Sequence, residues 1–165
     1  MKHVFVETNW VFQYCAPAHR STPESHRLVD RAARGDLKLH IPAVSLREGY
    51  DSILRKCQPT ALKEIQEFRR WAKANQKISD ATAKEGEKFI EAYRNCVNAE
   101  LNTLRSRIGG IDKLHGVEVF ALDDRMLDRT IQLRAEVTTL NPFDEAILAA
   151  ILVKAGDLRD HGETE

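Results

Sequence analysis

The chain has 165 residues, 42% of them hydrophobic, with 25 basic and 25 acidic side chains and a formal net charge of zero. That length suits one globular domain with a real core and is short for two, and the balanced charge excludes a global pull toward polyanions or membrane surfaces. Three cysteines, Cys15, Cys57 and Cys96, are odd in number and share no metal-ligand spacing, which argues against a disulfide framework or zinc site and for a reducing, cytoplasmic setting.

The opening apolar run turns charged at Glu7, too early for a secretory leader or a spanning helix, so no targeting signal and no membrane are expected. His3 to Val6 is β-branched and aromatic and stops at Glu7-Thr8-Asn9, the pattern of a buried strand feeding a turn. Trp10 to Tyr14 reads as the first turns of a helix that breaks near Pro17. Thr22-Pro23-Glu24 predicts an N-cap with proline at the first helical position, and Gly35 the matching C-cap. Leu37, Leu39 and Ile41 alternate with Lys38 and His40 and end at Pro42, a second strand with one more polar face, and a helix follows from about Ser45.

From Pro59 to about Ile108 the residues favour helix, with a break at Lys77 to Asp80 where Ser79 or Asp80 can cap a new start. The expectation is a helical hairpin, residues 59–110, closed by Gly109-Gly110. Val117 to Leu122 is a third strand, Asp123 and Asp124 cap the next helix, and a strongly apolar helix follows Asn141-Pro142. Gly156-Asp157-Leu158-Arg159-Asp160-His161-Gly162 reads as a helix exit and loop. Strands alternating with helices predict an α/β fold with a central parallel sheet and helices on both faces.

In an open parallel sheet, ligands bind beyond the carboxyl ends of the strands, where loops converge. Glu7 falls at such an end, Glu48 about a turn into the helix after the second strand, and Asp144 in the first turn of the late apolar helix. For Asp144 the favourable charge–dipole position at a helix start is an equal explanation. For Glu7 it is weaker, because a carboxylate directly after a buried strand costs desolvation.

Three segments resemble the PIN-domain family of nucleases. Val4-Phe5-Val6-Glu7-Thr8-Asn9 looks like the opening strand with its acidic end. Leu39-His40-Ile41-Pro42 followed by Glu48 resembles the second acidic position, and Pro142-Phe143-Asp144-Glu145-Ala146-Ile147-Leu148-Ala149-Ala150 the third. The match runs in order through one domain, residues 1–165, with the hairpin as an insertion. The resemblance implies a metal-dependent endoribonuclease in which Glu7, Glu48 and Asp144 are catalytic and hold Mg²⁺ or Mn²⁺, hard ions suited to carboxylate oxygen. It further implies Thr8 as a group positioning substrate or Glu7, and Asn9 as a group fixing the turn; helix capping explains these two equally well. RNA is the expected partner, with an antitoxin protein, as in bacterial toxin–antitoxin pairs, and a second copy in a homodimer as further candidates.

Two departures from the family pattern stand out. Glu7 occupies a position that is usually Asp, and its extra methylene moves the carboxylate by about 1.5 Å. The family's last strand, which brings a fourth acid beside the first strand, has no counterpart after Ala155, so a C-terminally shortened domain is expected. The alternative function is a catalytically degenerate PIN-like module that binds RNA or protein. A flavodoxin-like signalling domain fits less well. Arg55, Lys56, Lys63, Arg69, Arg70, Lys73 and Lys77 could attract phosphate, but interspersed Glu64 and Glu67 favour an ordinary solvated helix. Trp10 and Phe12 are expected in the core rather than against a base, and the six histidines carry no ligand spacing.

Overall fold

Three short strands, β1 (Lys2–Phe5), β2 (Leu37–Pro42) and β3 (Val117–Phe120), pair in parallel in the order β1-β2-β3. The structure is a computed structural model and describes residues 1–57, 62–136 and 139–163. Phe5 lies opposite His40, and His40 opposite Glu118. The Val6 amide donates to the His40 carbonyl at 3.1 Å, carrying the pairing one residue past β1.

Parallel strands need long crossovers, and here these are helical. Between β1 and β2 run α1 (Thr8–Cys15) and α2 (Pro23–Ala33); between β2 and β3 run α3 (Ala43–Cys57), α4 (Leu62–Ala74) and α5 (Asp80–Ile108). After β3 come α6 (Asp124–Glu136) and α7 (Pro142–Asp160). The chain is therefore a mixed α/β protein, mostly helical, around a small parallel sheet.

The caps follow local chemistry. Thr22 Oγ1 accepts from the Ser25 amide at 3.4 Å with Pro23 at the first helical position, and Gly35 adopts φ +79° just past the end of α2. Ser79 Oγ accepts from the Thr82 amide at 3.1 Å and Asp123 Oδ1 from the Met126 amide at 2.9 Å. Asn141 Oδ1 receives the amides of both Phe143 and Asp144.

Leu37, Leu39 and Ile41 are at most 1% exposed and share one face of β2 by alternation. The other face carries Lys38, about a third exposed, and His40, which is fully buried. There α7 brings Lys154 to Glu118, and Phe120, Met126 and Ala150 form a buried cluster joined by Phe5, Leu122 and Val153. Two ion pairs fasten α6 to α7: Arg125 to both oxygens of Asp157 at 2.8 Å, and Arg134 Nη2 to Glu145 at 2.8 Å.

The chain divides into two compact units, Met1–Ile53 with Leu104–Glu165, and Leu54–Thr103. The boundaries of the Leu54–Thr103 unit fall inside the continuous helices α3 and α5. The last turns of α5 belong to the first unit, where Arg105 bonds the Tyr50 hydroxyl at 3.1 Å and Arg107 the Ala16 carbonyl at 3.0 Å. The expected hairpin start at Pro59 lies outside the described residues.

Three expectations change. The helix after β2 begins at Ala43, directly after Pro42, and β3 ends at Phe120 rather than Leu122. The segment expected as an exit loop is helical to Asp160, closing with Gly162 at φ +75° and a Glu163 amide bonded to the Leu158 carbonyl at 2.9 Å. Gly156 costs that helix about 1 kcal/mol relative to alanine, an amount the packing of α7 on α6 can offset. Thr164 and Glu165, part of the expected polar ending, lie outside the described residues.

Candidate active site

Glu7 stands directly after β1, and Glu48 lies on α3, the helix that follows β2. Glu7 follows β1 in extended conformation, φ −126° and ψ −169°, at the N-cap position of α1. Its carbonyl accepts from the Trp10 and Val11 amides at 3.0 and 3.2 Å, while its side chain makes no capping bond. The half-buried carboxylate is thus not consumed by its own helix. Thr8, buried, turns its hydroxyl to Glu48 and donates to Oε2 at 2.5 Å. A residue next to Glu7 therefore fixes an acid forty positions along the chain, on α3.

That approach depends on Gly49. A Cβ there would stand 2.6 Å from Val11 Cγ1 and 3.1 Å from Val11 Cβ, so α3 meets α1 at a distance only glycine allows. The neighbouring residue, Glu48, is thereby carried to the start of α1. Trp10 anchors the other side of α1: it is 7% exposed, donates its indole N–H to the Ser25 carbonyl at 3.3 Å, and stacks on Tyr14. It is a core aromatic, as the sequence implies. Asn9 is exposed in the first turn of α1.

Asp144 has a different setting. It lies in the first turn of α7, where Asn141 Nδ2 donates to its Oδ2 at 2.5 Å while Asn141 Oδ1 receives its amide. This reciprocal arrangement is a helix cap, which engages Asp144 at the helix start beyond the charge–dipole effect expected there. Among the described residues, no three His, Cys, Asp or Glu side chains converge closely enough to hold a metal ion. Of the expected residues, Thr8 and Glu48 are in contact, through the hydroxyl–carboxylate bond. A Mg²⁺ ion is commonly held by one or two carboxylates plus water and substrate phosphate, and Glu7 and Glu48 each offer carboxylate oxygens of that kind.

Three of the seven cations that could attract phosphate are paired with acids of their own unit. Lys63 pairs with Glu67, Arg69 with Glu87 at 3.4 Å and Lys73 with Asp80 at 3.1 Å. They form an ordinary charged helix surface.

A second polar assembly, on the α7 side of the sheet, carries no signal in ligand spacing. His40 is fully buried; its Nε2 shares a hydrogen bond with His3 Nδ1 at 2.8 Å, and Phe5 stacks on its ring. His40 Nδ1 lies 3.2 Å from Glu118 Oε2, close enough for attraction but without hydrogen-bond alignment. Glu118 also takes Lys38 at 2.9 Å and Lys154 at 2.5 Å, and His3 Nε2 lies 3.4 Å from Glu163. Burial pushes the His40 imidazole down to about 4, against the opposing pull of Glu118. Burial would raise the Glu118 carboxyl, yet the two lysine bonds outweigh it and bring it down to about 2. The usable sequence signal is a histidine inside a parallel strand, where both faces are covered.

Glu145 also escapes a sequence reading. It is 3% exposed and its Oε2 receives both Arg134 Nε and Nη2, an ion pair at the N-terminal end of α7. The thiols of Cys15 and Cys96 are free, and burial pushes that of Cys15 up to about 12. Among the described residues no helix is long and apolar enough to cross a membrane. Compared with protein-family models, curated proteins and solved structures, the chain matches none.

Proposed function

We propose that the chain is a PIN-type, metal-dependent endoribonuclease whose reacting centre is built on Glu7 and Glu48, with Asp144 as the third acid. The observation that carries this reading is the Thr8–Glu48 hydrogen bond, which gathers acids from two separate crossovers at the carboxyl edge of a parallel sheet. Glu7 and Glu48 would hold Mg²⁺ or Mn²⁺ together with phosphate oxygens of the RNA. The ion would supply a water of lowered pKa and charge stabilisation at the scissile phosphate. Thr8 would hold one Glu48 oxygen in place, leaving the other for the ion, and Asn9 would stand exposed beside the substrate path. Asp144 would need to exchange its Asn141 bond for a role at the site.

That engagement of Asp144 favours a second reading, a PIN-like module that binds RNA or protein without cutting. An antitoxin partner belongs to the same family reading, and the cysteine content favours a cytoplasmic setting. The test is incubation of the chain with single-stranded RNA and Mn²⁺, beside a chelator control and Asp144→Asn. Cleavage abolished by the chelator and slowed by the substitution supports the nuclease; metal-dependent RNA binding without cleavage supports the second reading. Cleavage indifferent to both controls removes the proposed centre.

A further inference from the structure

The unit Leu54–Thr103 hides its smallest residues and shows its largest ones. Between α4 and α5 the buried side chains include Ala72, Ala83, Ile90 and Val97, and the helices approach so closely that a Cβ on Gly86 would lie 3.3 Å from Arg69 Cδ. On the surface stand Phe68 and Phe89, each 67% exposed, Trp71 at 54%, Ile65 at 46% and Tyr93 at 42%. The Phe68 and Trp71 rings stack with centroids 6.0 Å apart. With Ile65 and Phe89 they line one open groove of about 420 Å³, floored by Ala72 and Ile90.

Two helices alone cannot enclose a core, since each must bury its apolar stripe against another layer. From these residues we infer that the face is a homodimer interface: the α4–α5 layers of two copies of this chain pack against each other as a four-helix bundle. Fully buried aromatics remove 150–250 Å² each, so at these exposures the patch offers roughly 500 Å² per copy. Two such faces reach about 1,000 Å², the threshold for a specific interface, and one such patch is at the upper end of what a monomer leaves open.

The rim suits a copy of itself. A two-fold interface sets the same patch opposite itself, so its edge must carry both signs of charge. Lys63–Glu67, Arg69–Glu87 and Lys73–Asp80 supply that mixed, internally paired edge. Single-stranded nucleic acid, by contrast, selects aromatics set in a positively charged groove, and here Arg69, which lines the groove, is paired with Glu87. Cys96, exposed seven positions after Phe89 and three after Tyr93, extends the same stripe of α5 and reports on its burial.

The test is sedimentation of the full chain over a rising concentration series, alone and with a single-stranded RNA oligonucleotide, with alkylation of Cys96 read by peptide mass. The wild type should pass from monomer to dimer as Cys96 alkylation slows severalfold. Phe68→Glu with Phe89→Glu should stay monomeric with unchanged circular dichroism, and Phe68→Leu with Phe89→Leu should still dimerise. A wild type monomeric throughout, or a dimer that survives the charged pair of substitutions, overturns the interface. So does protection of Cys96 by RNA at concentrations where the chain is monomeric.

Discussion

His40 shows how a single buried side chain sets a pH dependence for the whole fold. Unfolded, the imidazole titrates near 6.5; folded, burial holds it near 4. The native state therefore binds fewer protons between those values, so the contribution is fully present above 6.5 and is lost as pH falls toward 4. At 1.36 kcal/mol per pKa unit the effect is on the order of 3 kcal/mol. Glu118 acts in the same direction lower down, from 4.5 toward 2. Urea midpoints should rise steadily from pH 4 to 6.5 in the wild type and much less in His40→Gln; equal slopes in the two would refute the assignment. The alternation of Leu37, Leu39 and Ile41 with Lys38 and His40 is legible as a strand. That its polar face meets Glu118 of β3, which also holds Lys154 of α7, is not, because those partners arrive from more than seventy residues away.

At the scale of elements, close approaches decide where the acids go. In Gly49→Ala the new methyl would meet Val11 Cγ1 at 2.6 Å. Overpacking of this kind costs about 1–3 kcal/mol, and the thermal midpoint should fall accordingly. An unchanged midpoint would show that α1 and α3 yield without strain. In the first turn of α7 a nearly buried Glu145 is neutralised by Arg134 of α6, itself largely exposed. Removing one partner of such a pair leaves a buried charge, whereas replacing both need not destabilise. Arg134→Ala should therefore destabilise more than Arg134→Ala combined with Glu145→Leu in denaturant titrations; the reverse order would contradict the pairing. The helix starts at Pro23 and Pro142 are legible because proline and its capping neighbour act locally. The end of α7 is not legible, because Gly156 and Gly162 look alike in sequence, while only Gly162 takes the positive φ of a terminator.

Across the whole molecule, a three-stranded parallel sheet presents Glu7 and, through Thr8, Glu48 at its carboxyl edge, while Asp144 sits on its own cap. Sequence order and strand periodicity were enough to anticipate that edge. They could not anticipate that Thr8 would turn toward Glu48, because that contact depends on how α3 crosses α1 at Gly49. Nor could periodicity separate an insertion whose boundaries lie inside continuous helices. The measurement that bears most directly on the central claim is the single-turnover rate of RNA cleavage in Mn²⁺ by the wild type and by Glu48→Gln. Loss of one charged group acting on the reacting centre should slow cleavage by about 10²-fold or more. An undiminished rate in Glu48→Gln would place the chemistry elsewhere.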